Sequence, residues 1–196
     1  GASGQSCVAG SRVFIHRSIH SKIIEMIQER AKKIIVGDPL DEKTQVGPLA
    51  TQLQVERASE VVKNSIKQGA KLIFGGEKPS KQKEGWYFEP TLLDCPNQEF
   101  DCVKTELFAP VISAIAFDTE DEAIEMANDS DYGLGSGIFT ENLAKAHRVS
   151  SKIHSGIVWI NTYRAISPIS PFGGVKQSGG SREAGMDAIH EYTRTK

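Results

Sequence analysis

Within its first ten residues the chain reads Gly4-Gln5-Ser6-Cys7-Val8-Ala9-Gly10, a thiol set among small residues. A thiol attacks a carbonyl well only when its own charge, or that of the oxyanion it creates, is stabilised. Small neighbours at Gly4, Ser6, Ala9 and Gly10 leave room for a carbonyl to approach Cys7, and the backbone N–H groups of such a loop can point at the oxyanion. The competing reading is that free cysteine packs as a small hydrophobe, and the loop alone leaves both open. Cys95, ahead of Pro96, and Cys102, in a polar stretch, lack that setting and read as structural. Taken singly, Glu106 reads as an exposed loop carboxylate, Phe108 as core filling, and Gln54 and Arg57 as solvated helix surface.

The elements that must hold these residues belong to an ordinary globular chain. Of 196 residues 39% are hydrophobic and 24% charged, and the formal net charge is −2. There is no basic surplus to neutralise nucleic-acid phosphate, and no apolar run approaches the roughly 18 residues of a membrane span. Three cysteines without a C-x-x-C pair argue against a disulfide framework or a structural zinc site, and point to a reducing, cytoplasmic compartment. The chain starts with Gly rather than Met and carries no secretion signal or transit peptide, so a piece of a longer protein is expected.

Apolar spacing predicts a helix over Ser21–Ile35, stopped by Gly37-Asp38-Pro39. Thr51-Gln52-Leu53-Gln54 has the form of a capping box. The helix it opens carries Ala58, Val61, Val62, Ser65 and Ile66 on one face and ends at Gly69, before a buried strand over Leu72–Phe74. Lys78–Gly85 reads as an exposed loop and Trp86–Leu93 as an extended segment interrupted by Pro90. Further on come a strand over Val111–Phe117, a helix from Thr119 through Ala127, a strand over Gly137–Phe139, a helix capped by Thr140 and running through Val149, and a strand over Gly156–Ile160. This alternation predicts an α/β fold, an open twisted, mostly parallel sheet flanked by helices. Ligands in such sheets collect where the chain leaves the C-terminal ends of strands. Asn161-Thr162-Tyr163 and the loop on to Gly174 are thus either a functional surface or an irregular connection.

Four stretches belong together: Gly4-Gln5-Ser6-Cys7-Val8-Ala9-Gly10-Ser11-Arg12, Glu106-Leu107-Phe108-Ala109-Pro110-Val111, Asn161-Thr162-Tyr163, and Pro171-Phe172-Gly173-Gly174-Val175-Lys176-Gln177-Ser178-Gly179. In this order and spacing they resemble the C-terminal catalytic domain of the NAD(P)-dependent aldehyde dehydrogenase superfamily. The resemblance runs through nearly the whole chain, with Gly37-Asp38-Pro39, Val46-Gly47-Pro48, Phe88-Glu89-Pro90-Thr91 and Tyr132-Gly133-Leu134 also in register. It implies one catalytic domain over residues 1–196 and assigns Cys7 as the nucleophile, forming a thiohemiacetal and then a thioester. Glu106 would hold the nicotinamide ribose, Phe108 would lie beside the nicotinamide, and Gln54 and Arg57 would contact the cofactor's adenosine ribose or nearby groups. Ser6, Val8, Ile166 and Phe172 would line the substrate tunnel. Arg164, the one charge in the loop on to Gly174, is either a plain surface residue or, at the tunnel rim, one that would favour a carboxylate or polar aldehyde. Lys176, Arg182 and Glu183 would fix the returning loop.

The same resemblance places the general-base glutamate, the oxyanion-hole asparagine and the Rossmann-type cofactor domain before Gly1, and the closing strand near or after Lys196. The full-length protein would be a homodimer or homotetramer using NAD or NADP, and residues 1–196 alone would not turn the cofactor over. Two positions depart from the family pattern: Ala109 and Ser181 stand where glycine is usual. An added Cβ disfavours a left-handed backbone, which matters most beside Glu106. Within the family, CoA-acylating members use the same cysteine. Outside it stand a cysteine hydrolase, with His16, His20, His147, His154 and His190 as bases in no recognisable motif, and a non-catalytic α/β interaction domain.

Overall fold

The computed structural model of the chain describes residues 2–82 and 84–196, so Gly1, and Lys83 within the loop expected over 78–85, lie outside the described residues. The chain divides into two compact units, Gly1–Thr119 and Glu120–Lys196. Four strands form the sheet of the first: β1 (Arg12–His16), β2 (Lys71–Phe74), β3 (Thr91–Cys95) and β4 (Val111–Phe117), in the order β1-β4-β3-β2. β4, whose sequence has no polar alternation, is an inner strand flanked by β1 and β3, both parallel to it. β2 closes the far side antiparallel to β3.

The register sorts the side chains onto two covered faces. On one face Ile15, Leu92 and Ala114 form a buried cluster with Val13 and Ile112, against Ile23, Ile24 and Ile27 of helix α1 (His20–Ala31). The Gln28 amide of α1 also donates to the Ile73 carbonyl at 3.0 Å. The opposite face meets α2 (Gln52–Gln68), through its buried Ser65, and the single turn α3 (Asp101–Lys104). Ser65 Oγ accepts the Cys102 N–H at 2.9 Å, and Ser113 Oγ of β4 donates to the Cys102 carbonyl at 3.0 Å.

Three expectations for the first unit need correction. The first helix ends at Ala31 rather than Ile35, because Ile35 is claimed by Gln45 through both side chain and backbone and Val36 bridges to Val46. The strand after Gly69 is not buried: β2 is an edge strand with a register shift between Leu72 and Phe74, and Leu72 is half exposed. Strand pairing in the 86–93 region starts only after Pro90, so β3 runs Thr91–Cys95 and becomes the most buried strand of the sheet. Gly69 does end α2 as expected, at φ +113.

The second unit comprises α4 (Glu120–Asn128), β5 (Tyr132–Gly133), β6 (Gly135–Ile138), α5 (Leu143–Ser150), β7 (Ile157–Ile160), β8 (Val175–Lys176) and α6 (Ala188–Glu191). β6 and β7 pair in parallel with α5 between them in sequence, and β5 pairs antiparallel with β8. The strand–helix alternation of the sequence is therefore kept, while its ladders are divided: β4 pairs with β1 and β3, and β6 with β7. α5 is capped by Asn142 rather than Thr140. Asn142 accepts the Lys145 N–H at 2.9 Å, whereas the Thr140 backbone is held by the Asn161 amide. The Arg148 guanidinium grips the Glu120 carboxylate through two hydrogen bonds of 2.6 and 2.7 Å, joining α5 to α4 and holding the Glu120 carboxyl below its usual range.

Leu93, with 0% exposure in the middle of β3, tests this arrangement. Leu93→Ala is expected to lower stability by about 2–5 kcal/mol, measured as a shift in the urea unfolding midpoint. Leu72→Ala on the edge strand should cost distinctly less.

Candidate active site

Cys7 precedes β1 and the Glu106–Phe108 stretch precedes β4. Because β1 and β4 are parallel neighbours, with Arg12 opposite Ser113, both loops reach the sheet at the same edge. They touch there. Gly4, at φ +77, lies so close to Ala109 that a Cβ would collide with the Ala109 carbonyl oxygen. Gly4 is thus small where one loop docks on the other. Ala9 N–H donates to the Ser6 carbonyl at 2.9 Å, closing a turn with Cys7 and Val8 at its centre. Cys7 is exposed, Ser6 half-buried and Val8 buried.

The far side of the Cys7 loop is tied to the segment leading into α2. Ser3 Oγ donates to the Gly47 carbonyl at 2.9 Å. Gln5 Oε1 accepts the Ala50 N–H at 2.8 Å, while its Nε2 donates to the carbonyls of Ala2 and Pro48 at 3.3 and 3.5 Å. Ser3 is itself buried. Ala2 and Ser3 both have positive φ, +50 and +51, a conformation that costs a non-glycine residue of order 1 kcal/mol or more. These hydrogen bonds help offset that cost.

Glu106 is exposed, Leu107 is buried beneath it, and the Phe108 side chain is 39% exposed. Phe108 has φ +50. Gln54 holds it: Nε2 donates to the Leu107 carbonyl and, at 3.1 Å, to the Phe108 carbonyl. The capping box is therefore only half formed. Thr51 Oγ1 accepts the Gln54 N–H at 3.2 Å, but the Gln54 amide is spent on the Phe108 loop. Arg57 lies one turn further along α2 and is exposed. The left-handed residue of this loop is Phe108, not Ala109, so alanine in place of the usual glycine imposes no backbone conflict there. In the second unit Ser181 likewise has no positive φ; Gly179, Ala184 and Gly185 carry it, at +97, +58 and +59.

The other candidate residues lie in the second unit, where the chain leaves β7. Asn161 (φ +54) uses its amide like a backbone group, accepting the Thr140 N–H and donating to the Thr140 carbonyl, both at 2.9 Å. Trp159 Nε1 donates to the Ala165 carbonyl at 2.7 Å, and its ring lies 4.9 Å from that of Tyr163. This folds the segment around Arg164 back on the strand, with Arg164 at φ +66. Arg164 and Ile166 are exposed. Phe172 is half-buried and exchanges two backbone hydrogen bonds of 2.7 Å with Glu183. Lys176 Nζ caps the carbonyls of Asn128 and Ser130, and Arg182 Nη1 gathers those of Gly174, Gly180 and Ser181.

Sequence reading passed over Gln5, Ser3 and Asn161 as supports, since each works through a backbone partner distant in sequence. Only Asn161, at the end of an apolar strand, sits where a local clue existed.

The aldehyde dehydrogenase family matches residues 1–196. The chain is 50% identical to (Z)-2-((N-methylformamido)methylene)-5-hydroxybutyrolactone dehydrogenase of Acinetobacter baylyi and 40% identical to betaine aldehyde dehydrogenase of Brucella anthropi, over 100% of this chain and 40% of each relative. Among solved structures, PnpE in complex with nicotinamide adenine dinucleotide superposes with a TM-score of 0.94 at 43% identity, over 98% of this chain and 40% of that one. The NAD+ complex of an aldehyde dehydrogenase from Bacillus cereus gives 0.94 at 38%, over 98% and 39%. The chain thus spans about 40% of the length of the curated relatives it matches.

The docking of the two loops carries two expectations. Iodoacetamide added to the native chain should label Cys7 well before the buried Cys95 and Cys102, as peptide mass mapping would read. Gly4→Ala should destabilise the chain by more than about 1 kcal/mol in urea unfolding, because it meets both a positive φ and the Ala109 carbonyl.

Proposed function

The chain belongs to the aldehyde dehydrogenase family, and on that premise we propose that its protein oxidises an aldehyde to the carboxylic acid with NAD or NADP, Cys7 serving as nucleophile. The observation that carries this is the meeting of the exposed Cys7 loop with the Phe108 loop at Gly4 and Ala109. The Cys7 sulfur attacks the aldehyde carbon to give a thiohemiacetal; loss of hydride leaves a thioester, and water cleaves it to the acid. The turn from Ser6 to Ala9 keeps Cys7 at its apex, and the Cys7 backbone N–H is assigned one half of the oxyanion hole.

The residues present suit a nicotinamide dinucleotide by their chemistry. Glu106 offers an exposed two-oxygen acceptor for a ribose diol, and two residues on Phe108 offers an exposed ring on a backbone whose carbonyl Gln54 holds. When bound, the nicotinamide supplies the hydride acceptor. Gln54 and Arg57 are assigned to the adenosine side of the cofactor; since the Gln54 amide already serves two carbonyls, Arg57 is the freer of the pair to reach a ligand.

Ser6, Val8, Arg164, Ile166 and Phe172 are assigned to the substrate tunnel, with both units read as parts of one catalytic domain. An arginine at the rim favours anionic or polar uncharged aldehydes over cationic ones. The remaining parts of the reading follow the family resemblance: a cytoplasmic homodimer or homotetramer whose general base and main cofactor domain lie outside residues 1–196. No helix among the described residues is long and apolar enough to cross a membrane.

In the protein that includes the preceding cofactor domain, Cys7→Ala should lower aldehyde-dependent NADH formation by at least about 10³-fold. Residues 1–196 alone should form no NADH above their own Cys7→Ala control. Retained turnover in the longer Cys7→Ala protein would overturn the assignment.

A further inference from the structure

We propose that Cys95 and Cys102 form a dithiol that peroxide oxidises to an intramolecular disulfide, linking the end of β3 to α3. Their sulfurs lie 3.5 Å apart, and the two residues are 2% and 3% exposed. Cys102 is held facing Cys95 from both sides, its N–H given to Ser65 Oγ at 2.9 Å and its carbonyl receiving Ser113 Oγ at 3.0 Å. Both serines are fully buried, two polar side chains placed in an apolar core around this one residue. Cys95 is fixed by the β3–β4 ladder opposite Ile115. A disulfide needs the sulfurs to close to about 2.05 Å. The link between them is short: Pro96, Asn97 and Glu99 are exposed, and α3 is one turn long.

The hydrogen bond between the two sulfurs favours the thiolate at Cys102, and the same contact together with burial pushes the Cys95 thiol up. Either sulfur of the pair can attack once it is a thiolate; the sequence of steps is the same for both and is given for Cys102. It displaces on a peroxide oxygen, the O–O bond breaks, and the leaving hydroxide departs as water with the thiol's proton, leaving a sulfenic acid. The Cys95 sulfur then attacks the sulfenic sulfur. The S–S bond forms, the S–O bond breaks, and a second water leaves with the Cys95 proton. Two thiols are oxidised and one peroxide is reduced by two electrons to two waters. Because α3 leads directly into Thr105 and Glu106, the bond anchors the root of the Phe108 loop. The chemistry is independent of the reaction assigned to Cys7.

The test uses the Cys7→Ser chain, in which Cys95 and Cys102 are the remaining thiols. After hydrogen peroxide treatment and unfolding in alkylating agent without reductant, both should escape alkylation. The tryptic peptide 84–104 should be lighter by two hydrogen atoms, and dithiothreitol should restore both thiols. In Cys7→Ser/Cys95→Ala the disulfide should be absent, and oxidation of Cys102, slowed by loss of the Cys95 hydrogen bond, should stop at a sulfenic acid that dimedone traps. Two thiols still open to alkylation, added oxygen at either cysteine without the cross-link, or a disulfide between two chains would each overturn the proposal. Should the double variant not fold, the Cys7→Ser measurement decides alone.

Discussion

The parallel pairing of β1 with β4 is the constraint from which the candidate site follows. Cys7 and Phe108 are about a hundred residues apart, and no local preference brings them together. Once Arg12 lies opposite Ser113, the chain must approach both strands from the same edge, and their leading loops become neighbours. That edge is the N-terminal one, opposite to the edge where ligands usually gather in open α/β sheets. The register also determines what is tolerated at position 4, since the Ala109 carbonyl occupies the space a side chain would need.

Around this ladder the site is held by side-chain amides that stand in for backbone. Gln5 joins the Cys7 loop to residues 48–50, and Gln54 joins α2 to the carbonyls of Leu107 and Phe108. Both glutamines bracket the start of α2, so one helix N-terminus is the common anchor for both loops. Several residues at the site sit at positive φ without being glycine, among them Ser3 and Phe108. Strain of this kind persists where surrounding contacts over-determine the backbone. The contacts here are such amides, and they leave the Phe108 ring and the Cys7 thiol facing outward.

The second unit repeats the device with different residues. Asn161 bonds Thr140 as a strand neighbour would, and Trp159 and Tyr163 fold the following loop onto β7. Lys176 and Arg182 serve carbonyls within their own unit, which explains charged residues in a loop rich in glycine. Neither substitution relative to the family pattern falls on a left-handed position: Ala109 follows Phe108, and Ser181 lies between Gly179 and Ala184, which is why alanine and serine are accepted.

Much of this was legible in the sequence wherever the cause was local. The apolar run of β4, the Thr51 cap and Gly69 terminus of α2, and the small-residue setting of Cys7 each follow from neighbours a few residues away. Side-chain volume, φ preference and hydrogen bonding act directly over that range. Tertiary structure alone decided the rest: that α1 stops at Ala31, that β2 lies at an edge, that Gly4 serves Ala109, and that the Gln54 amide leaves its own helix cap for the Phe108 loop. In each case the deciding partner is distant in sequence, and a hydrogen bond or steric contact to it outweighs a local preference of at most about 1 kcal/mol.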